Sequence, residues 1–262
     1  MKILSTKQPD ILRNLCKPEG LSNAIYQNIL KSIAENKKLL AVLIDPDKFA
    51  IEDVSWFIEK LNQSIATHVF VGGSIVEVNA TERVVSEIKK YTKLPVILFP
   101  GDVTQITDYA DGLLFLSLIS GRNPEYLIGK HVASVSKLRN SSLEVIPTGY
   151  MLIENGKETA VQRVTETKPM PKNNIQNIVD TAKAAEFLGM KLIYLEAGSG
   201  AAHAVTSEII SSVKQELQIP LIVGGGIRTI NQLDAAYKSG ADLVVIGTAF
   251  EEDASFFEQL KK

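Results

Sequence analysis

The fold of this chain is decided by three stretches near its carboxyl end, each an apolar run followed by small residues. They read KLIYLEAGSG at residues 191–200, PLIVGGGIR at 220–228 and DLVVIGT at 242–248. Glycine has no Cβ, so its backbone reaches positive φ and approaches an anion closely, which lets several N–H groups converge on phosphate oxygens. Three such turns in succession predict consecutive strands of a barrel that present backbone amides to a phosphate.

Other apolar runs rich in Val, Ile and Leu recur along the chain, and they are continuous rather than alternating, as in strands covered on both faces. With the three above, they span residues 39–44, 68–72, 95–100, 112–117, 143–148, 192–196, 221–223 and 243–247. Segments with helical spacing lie between most of them, at 54–62, 81–91, 123–139, 174–188, 208–216 and 230–238. This alternation over 262 residues predicts an α/β protein with a single TIM-barrel domain, a modified (β/α)8 barrel.

The spacing of these runs departs from an ideal barrel in two places. The gap between residues 100 and 112 is too short for a crossover helix, because a parallel connection usually needs a dozen or more residues. We therefore expect a degenerate or missing third helix. Residues 150–174 form a long stretch with two prolines, for which we expect a loop over the barrel mouth. A helical lead-in is expected over about residues 1–38, with a helix at 24–35 packed across the bottom or side of the barrel.

Composition excludes several classes of protein. The net charge is −2, so the basic stripe that a nucleic-acid-binding protein needs is missing. Cys16 is the one cysteine, which excludes an intrachain disulfide framework and a zinc cluster of cysteines. The first residues carry charges rather than the apolar core of a signal peptide, and no apolar run approaches about 20 residues. We expect a cytoplasmic protein whose contact with membranes is peripheral at most.

The ends of the first two predicted strands carry oxygen ligands, and in a barrel function lies where strands end. Asp45 and Asp47 follow the first strand. Carboxylates there suit Mg²⁺, which binds a few carboxylate oxygens and keeps waters and substrate phosphates as its other ligands. Asp47 equally fits a turn or a helix cap. Ser74 follows the second strand and is either a metal ligand or a cap.

The sixth predicted strand ends in polar residues that can act on a phosphorylated polyol. Glu196 is an acidic group at the mouth of an apolar strand, where a carboxylate is costly unless it is solvated, paired or used. It is the candidate general base, or it only orients hydroxyl groups. Tyr194 and Ser199 can donate to a phosphate, although Tyr194 also fits an ordinary core position. Glycines at strand ends are the other candidates for a phosphate cradle, unless they only accommodate the backbone: Gly198, Gly200, Gly225, Gly226 and Gly247, with Thr248 beside the last.

Taken together, the motifs make the chain resemble the geranylgeranylglyceryl phosphate synthase family. They occur in the same order as in that family, and the resemblance extends from about residue 39 to residue 253. They are LIDPDK at 43–48, VGGS at 71–74, LPVILFPG at 94–101, YLEAGSG at 194–200, VGGGIR at 223–228 and IGT at 246–248. The glycine motifs alone fit many phosphate-binding barrels, whereas their combination with DPD and GGS is much more specific. Leu43 stands where heptaprenyl-specific bacterial relatives have a lysine, which favours the longer, archaeal-like subgroup that also occurs in bacteria.

The resemblance implies a modified barrel that lacks or displaces its third helix. It also implies a Mg²⁺-dependent enzyme that transfers a polyprenyl group, here geranylgeranyl, from its diphosphate to the 3-hydroxyl of sn-glycerol-1-phosphate. By matching motif, Asp45 and Ser74 would hold the metal, and Asp45 and Glu196 would be catalytic. The glycerol phosphate site would comprise Tyr194, Leu195, Glu196, Ala197, Gly198, Ser199, Gly200, Gly225, Gly226, Gly247 and Thr248. The family analogy also predicts a homo-oligomer, either a dimer or a hexamer.

Two other functions fit a phosphate-binding barrel. One is an isomerase or aldolase acting on a phosphorylated sugar, although no strand-end lysine for a Schiff base lies within the predicted strands. The other is a sensor of phosphorylated metabolites, for which Asp45 and Glu196 would be unnecessary. A prenyl chain would further need an apolar groove, for which Phe99, Leu116, Leu118 and Ile119 are candidates, unless they are barrel core.

Overall fold

A closed barrel of parallel strands organises the residues that the computed structural model describes, which are 24–252 and 254–261. Each strand pairs with its neighbours in the chain, and β1 pairs with β8. The strands are β1 (Leu39–Ile44), β2 (His68–Val71), β3 (Val96–Leu98), β4 (Gly112–Leu118), β5 (Glu144–Leu152), β6 (Leu192–Glu196), β7 (Leu221–Gly224) and β8 (Leu243–Ile246). The barrel prediction is therefore confirmed. Cys16 and the first part of the expected lead-in lie outside the described residues.

Helices connect most of the strands and cover the outside of the barrel. They are α1 (Ala24–Ala34), α2 (Val54–Gln63), α3 (Ala80–Ile88), α4 (Lys130–Leu138), α5 (Ala160–Thr165), α6 (Ile175–Phe187), α7 (Ser207–Glu216), α8 (Ile230–Lys238) and α9 (Thr248–Glu252). A π-helical turn, Glu125–Gly129, leads into α4, and 3-10 turns occur at Ile51–Asp53, Val103–Gln105 and Ala254–Leu260. Within the described ranges, none of these helices has the length and apolar character needed to cross a bilayer.

Continuous apolar runs form the strands because both faces of each strand are buried. In β1, Leu39 and Ala41 point into the barrel, where they meet inward side chains such as Phe70 and Ile97. Leu40 and Val42 point outward and pack under the helices. A strand of this kind needs apolar side chains at every position, which removes the alternating pattern of a half-exposed sheet.

The connection between β3 and β4 lacks an α-helix, as its short length predicted. It contains only the 3-10 turn Val103–Gln105. Gln105 is 2% exposed, and its Nε2 donates to the Gly73 carbonyl oxygen at 2.8 Å, in the loop after β2. This buried amide ties the turn to the neighbouring loop where a helix would otherwise pack on the barrel.

Helix α1 covers the amino-terminal end of the barrel, one of the two places that the sequence allowed. Ile25 and Ile29 join the inward-facing side chains of the strands. Glu144, at the start of β5, accepts hydrogen bonds from the backbone N–H groups of Ile25 and Tyr26 at 2.7 and 2.9 Å. Helix α1 thereby covers this end of the barrel, and the two cavities described below lie at the other.

The segment expected as one loop over residues 150–174 was predicted wrongly in part. Strand β5 continues to Leu152, and α5 forms within the segment. Gly149 lies within this strand, where a Cβ would come within 3.0 Å of Ile119 and Ile193, so glycine allows close packing here rather than a turn. Thr159 caps α5 by accepting a hydrogen bond from the Gln162 N–H at 3.3 Å.

Candidate active site

A polar cavity of about 250 Å³ lies at the carboxyl ends of the strands, where a barrel places its functional groups. Among the predicted site residues, those that line it are Asp45, Ser74, Tyr194, Glu196, Ser199, Gly225, Gly226, Gly247 and Thr248. The structure thus brings together residues that are up to about 200 positions apart in the chain. We call this space the polar cavity.

Four residues from the predicted glycerol phosphate site do not line the polar cavity. The side chains of Leu195 and Ala197 belong to the outer layer between strands and helices, so these residues offer the site only their backbone groups. The Ala197 N–H already donates to the Gly224 carbonyl oxygen at 3.0 Å. Gly198 and Gly200 lie in the turn beside the cavity, with φ values of 102° and 67°.

Glu196 is a buried carboxyl group at the end of β6, and 5% of its surface is exposed. Its Oε1 accepts a hydrogen bond from the Gly198 N–H at 2.5 Å. Burial raises the pKa of Glu196 to about 7, although the Gly198 N–H and the nearby Tyr194 and Tyr150 hydroxyls act in the opposite direction. A carboxyl with this pKa exchanges a proton readily near neutral pH, as a general base requires.

Tyr194 and Tyr150 flank Glu196 from inside the barrel, with ring centroids 5.4 Å apart. Phe99 stacks on Tyr194 at 5.2 Å and meets Tyr150 edge-on at 5.7 Å. Burial, followed by the Glu196 charge, raises the pKa of both tyrosines well above the usual value. The Tyr194 hydroxyl is buried beside the Glu196 carboxyl, and both residues line the polar cavity, so one ligand can contact both groups.

The glycine turns after β6 and β7 pack directly against each other. Gly225 has a φ of 81°, and a Cβ there would come within 2.6 Å of the Gly198 nitrogen and 2.9 Å of the Ala197 nitrogen. Gly226 has a φ of 72°. Any larger residue at Gly225 would be strained and would collide with the neighbouring turn, so the sequence requires glycine here for the two turns to form one surface.

Asp45 follows β1 at the edge of the polar cavity. Its Oδ2 pairs with Lys48 Nζ at 2.9 Å, and a Cβ at Gly73 would lie 3.1 Å from its Oδ1, so the absence of a side chain at Gly73 leaves room beside the carboxylate. Asp47 has a different role. Both its carboxylate oxygens accept from the Glu77 N–H, at 3.0 and 3.1 Å, so it anchors the loop after β2 rather than capping a helix.

These residues fit a Mg²⁺ ion that takes part of its coordination from a substrate. Asp45 and Ser74 both line the polar cavity and present a carboxylate and a hydroxyl, which are hard oxygen donors. The described residues contain no group of three acidic, histidine or cysteine side chains arranged around a metal. Mg²⁺ commonly binds through one or two carboxylates, substrate phosphates and water, and the donor set here is of that kind.

An apolar groove adjoins the polar cavity on the side where the barrel lacks a helix. Five residues line both spaces: Gly73, Ser74, Phe99, Tyr150 and Val161. One side of the groove is formed by the β3–β4 connection, including Val103, and the other by α4 and the turn before it, including His131. Near its rim, the Lys130 ammonium pairs with the Asp102 carboxylate.

Of the predicted groove residues, Phe99, Leu116 and Leu118 line the apolar groove. Ile119 does not, because it packs in the outer layer. For Ile119, the alternative that the sequence left open, an ordinary core position, is therefore the correct one.

Sequence reasoning missed Tyr150, Lys48 and Arg228, which also line the polar cavity. Strand periodicity contained a signal for Tyr150, because it pairs with Tyr194 across β5 and β6 and points inward. Ending the predicted strand at residue 148 hid that signal. The Arg228 guanidinium donates to the Ala201 carbonyl oxygen at 2.9 Å, a contact that no local motif reveals.

Comparison with known proteins gives relatives that match nearly the whole described barrel. The sequence profile of the PcrB family matches residues 31–262. Geranylgeranylglyceryl phosphate synthase from Zunongwangia profunda is 59% identical over 227 residues, which cover 87% of this chain and 97% of that protein. The enzyme of the same name from Flavobacterium johnsoniae is 53% identical over 240 residues, covering 92% and 99%.

A solved structure agrees with these sequence matches. The crystal structure of (S)-3-O-geranylgeranylglyceryl phosphate synthase from Thermoplasma acidophilum, in complex with its substrate sn-glycerol-1-phosphate, superposes with a TM-score of 0.85. The two chains are 33% identical, over 91% of this chain and 96% of that one. The resemblance predicted from the motifs is confirmed, and the chain belongs to the PcrB family, among relatives that are geranylgeranylglyceryl phosphate synthases.

Proposed function

We propose that this protein transfers a geranylgeranyl group from geranylgeranyl diphosphate to the 3-hydroxyl of sn-glycerol-1-phosphate, giving geranylgeranylglyceryl phosphate and diphosphate. The observation that carries this proposal is the junction of the two spaces. A polar cavity with a buried carboxyl and glycine turns shares five lining residues with an apolar groove. A phosphorylated polyol and a long hydrocarbon chain can therefore meet there.

Two sets of groups in the polar cavity orient the glycerol phosphate, one binding its phosphate and the other its hydroxyl groups. Its phosphate binds to the glycine turns after β6, β7 and β8, whose N–H groups suit an anion. Its hydroxyl groups lie toward Glu196 and the buried Tyr194 hydroxyl beside it. This orientation brings the 3-hydroxyl to the carboxyl with a pKa of about 7.

Bond formation then requires one proton acceptor and one stabilised leaving group. The 3-hydroxyl oxygen bonds to the first carbon of the prenyl chain, and Glu196 takes up the hydroxyl proton. The bond from that carbon to the diphosphate oxygen breaks, and its electron pair leaves with the diphosphate. Asp45 and Ser74 would hold Mg²⁺, which when bound neutralises charge on the diphosphate.

The apolar groove provides the binding energy for the hydrocarbon chain. Burying twenty carbons contributes about 16 kcal/mol gross at about 0.8 kcal/mol per CH₂, much of which is offset by lost conformational and translational freedom. The dependence on Mg²⁺, the preferred chain length, a homo-oligomeric state, cytoplasmic location and peripheral contact with a membrane stay predictions.

A radiochemical assay tests the proposal. Purified protein is incubated with Mg²⁺, labelled sn-glycerol-1-phosphate and geranylgeranyl diphosphate, and label extracted into organic solvent is counted. We expect extraction that requires both substrates and is abolished by a chelator. Labelled sn-glycerol-3-phosphate is the matched control. Absence of extraction with prenyl diphosphates of any length would contradict the proposal and favour an isomerase, an aldolase or a sensor.

A further inference from the structure

The segment between β5 and α6 lies against the glycine turn after β6 through two buried polar residues. Asn155 is 3% exposed, and its side-chain amide donates to the Ala197 carbonyl oxygen. Thr159 is also buried, and its methyl group occupies the space that a Cβ on Gly198 would need. The segment is therefore held in a defined position over the turn.

Lys157 stands between these two anchors. Its backbone N–H donates to Asn155 Oδ1 at 3.1 Å, so the buried amide of Asn155 links the Lys157 backbone to the end of β6. The Lys157 side chain is exposed and extends to Gly200, where a Cβ would lie 3.6 Å from its Nζ. The ammonium thus lies beside the glycine turn from a segment outside the three glycine motifs.

A phosphate monoester carries a charge of about −1.5 to −2 at pH 7, and the glycine turns supply only partial charges. Lys48 and Arg228 line the polar cavity, but Lys48 pairs with Asp45 at 2.9 Å and Arg228 donates to the Ala201 carbonyl oxygen. Lys157 does not itself line the cavity but adds a cation beside it, next to Gly200. A lysine ammonium is a compact charge on a flexible stem, which suits a phosphate.

We propose that Lys157 is a phosphate-binding residue that completes the glycine cradle for sn-glycerol-1-phosphate, with Asn155 holding its backbone in place. This inference rests on the proposed function, since it names a further contact in the same site. Lys157 lies on the surface, so its replacement leaves the barrel core unchanged.

Isothermal titration of the full chain with sn-glycerol-1-phosphate tests the assignment. We expect Lys157→Met to raise the dissociation constant about tenfold, the size of one charge-assisted hydrogen bond. Lys157→Arg keeps the charge and should stay within about threefold of the wild type. Lys172→Met, at an exposed lysine of the same segment, is the matched control and should bind normally. The effect of Lys157→Met should shrink in 1 M salt because salt screens exposed charges.

The outcomes separate this inference from the function on which it rests. If the wild type binds and Lys157→Met binds equally well, Lys157 is not a phosphate ligand and the assignment is overturned. If the wild type does not bind sn-glycerol-1-phosphate at all, the proposed function fails, and the inference fails with it.

Discussion

The polar cavity and the apolar groove share a wall but are built in opposite ways. The polar cavity is formed largely by backbone turns, where positive φ and close approach restrict the residue, as at Gly225. The groove lies beside the β3–β4 connection, where a helix is missing, and its walls are mainly apolar side chains. A site built from backbone turns can be recognised from a glycine motif in the sequence. A groove beside a missing helix is indicated only by the short spacing between two predicted strands.

The largest expected effect tests whether the polar cavity contains a metal-assisted site. We expect Asp45→Asn to lower turnover on the order of 1,000-fold, because a bound Mg²⁺ contributes several kcal/mol to charge stabilisation. Calorimetric titration with Mg²⁺ in the presence of diphosphate should show weakened metal binding. Asp47→Asn is the matched control, since Asp47 only anchors the Glu77 backbone. Equal losses in the two variants would remove the distinction between these aspartates.

A smaller effect on rate is expected for the general base. Glu196→Gln should lower kcat about 100-fold or more, the usual contribution of a positioned base, because the amide cannot accept the hydroxyl proton. The KM for sn-glycerol-1-phosphate should change much less, since the amide oxygen still accepts hydrogen bonds. In the wild type, kcat should rise with pH through the pKa of about 7. A flat pH profile would show that Glu196 only orients the substrate.

Glu196→Gln should be more stable than the wild type at high pH. Burial raises the pKa of Glu196 from 4.5 to about 7. The contribution of the protonated carboxyl to the free energy of unfolding is therefore fully present below pH 4.5 and is lost as pH rises through 7. At about 1.4 kcal/mol per pH unit, the free energy of unfolding at pH 8 should increase by about 3 kcal/mol in Glu196→Gln. Thermal unfolding at pH 5 and pH 8 measures this, with Glu52→Gln at an exposed site as the control. A gain of equal size at both pH values would contradict it.

The groove is tested by filling it. Val164 lines the groove from α5 and is half-buried, and Val164→Trp should displace about two CH₂ groups of a long chain. At about 0.8 kcal/mol each, the KM for geranylgeranyl diphosphate should rise about tenfold, with little change for a ten-carbon donor. Arg163→Trp, at the exposed neighbouring position, is the control. If the KM rises equally for the twenty-carbon and the ten-carbon donor, the hydrocarbon chain does not lie in this groove.

The smallest effect is expected in the polar cavity. Ser199 is exposed and lines it, so Ser199→Ala should raise the KM for sn-glycerol-1-phosphate about threefold, as for one neutral hydrogen bond. Steady-state kinetics with Ser211→Ala on α7 as the control measures this. An unchanged KM would show that the backbone turns alone bind the phosphate.

The barrel, the missing helix and the strand-end residues of the polar cavity could be predicted because each depends on local properties of the chain. Runs buried on both faces are continuous, and strand ends such as Asp45 and Glu196 follow directly from them. Tyr150 was missed because the predicted strand ended at residue 148, whereas β5 continues through Gly149, which packs against Ile119 and Ile193. Lys157 depends on the path of a long segment, which no pattern within that segment specifies.

Gln105 shows how a barrel can lose a helix and remain closed. Its buried amide, bonded to the loop after β2, holds the β3–β4 connection together with Lys130, which pairs with Asp102. Val103, in the same turn, lines the groove. In the proposed function, Val103 would contact the prenyl chain from a short turn, so we expect substitutions at this position to change chain preference with little effect on the stability of the barrel.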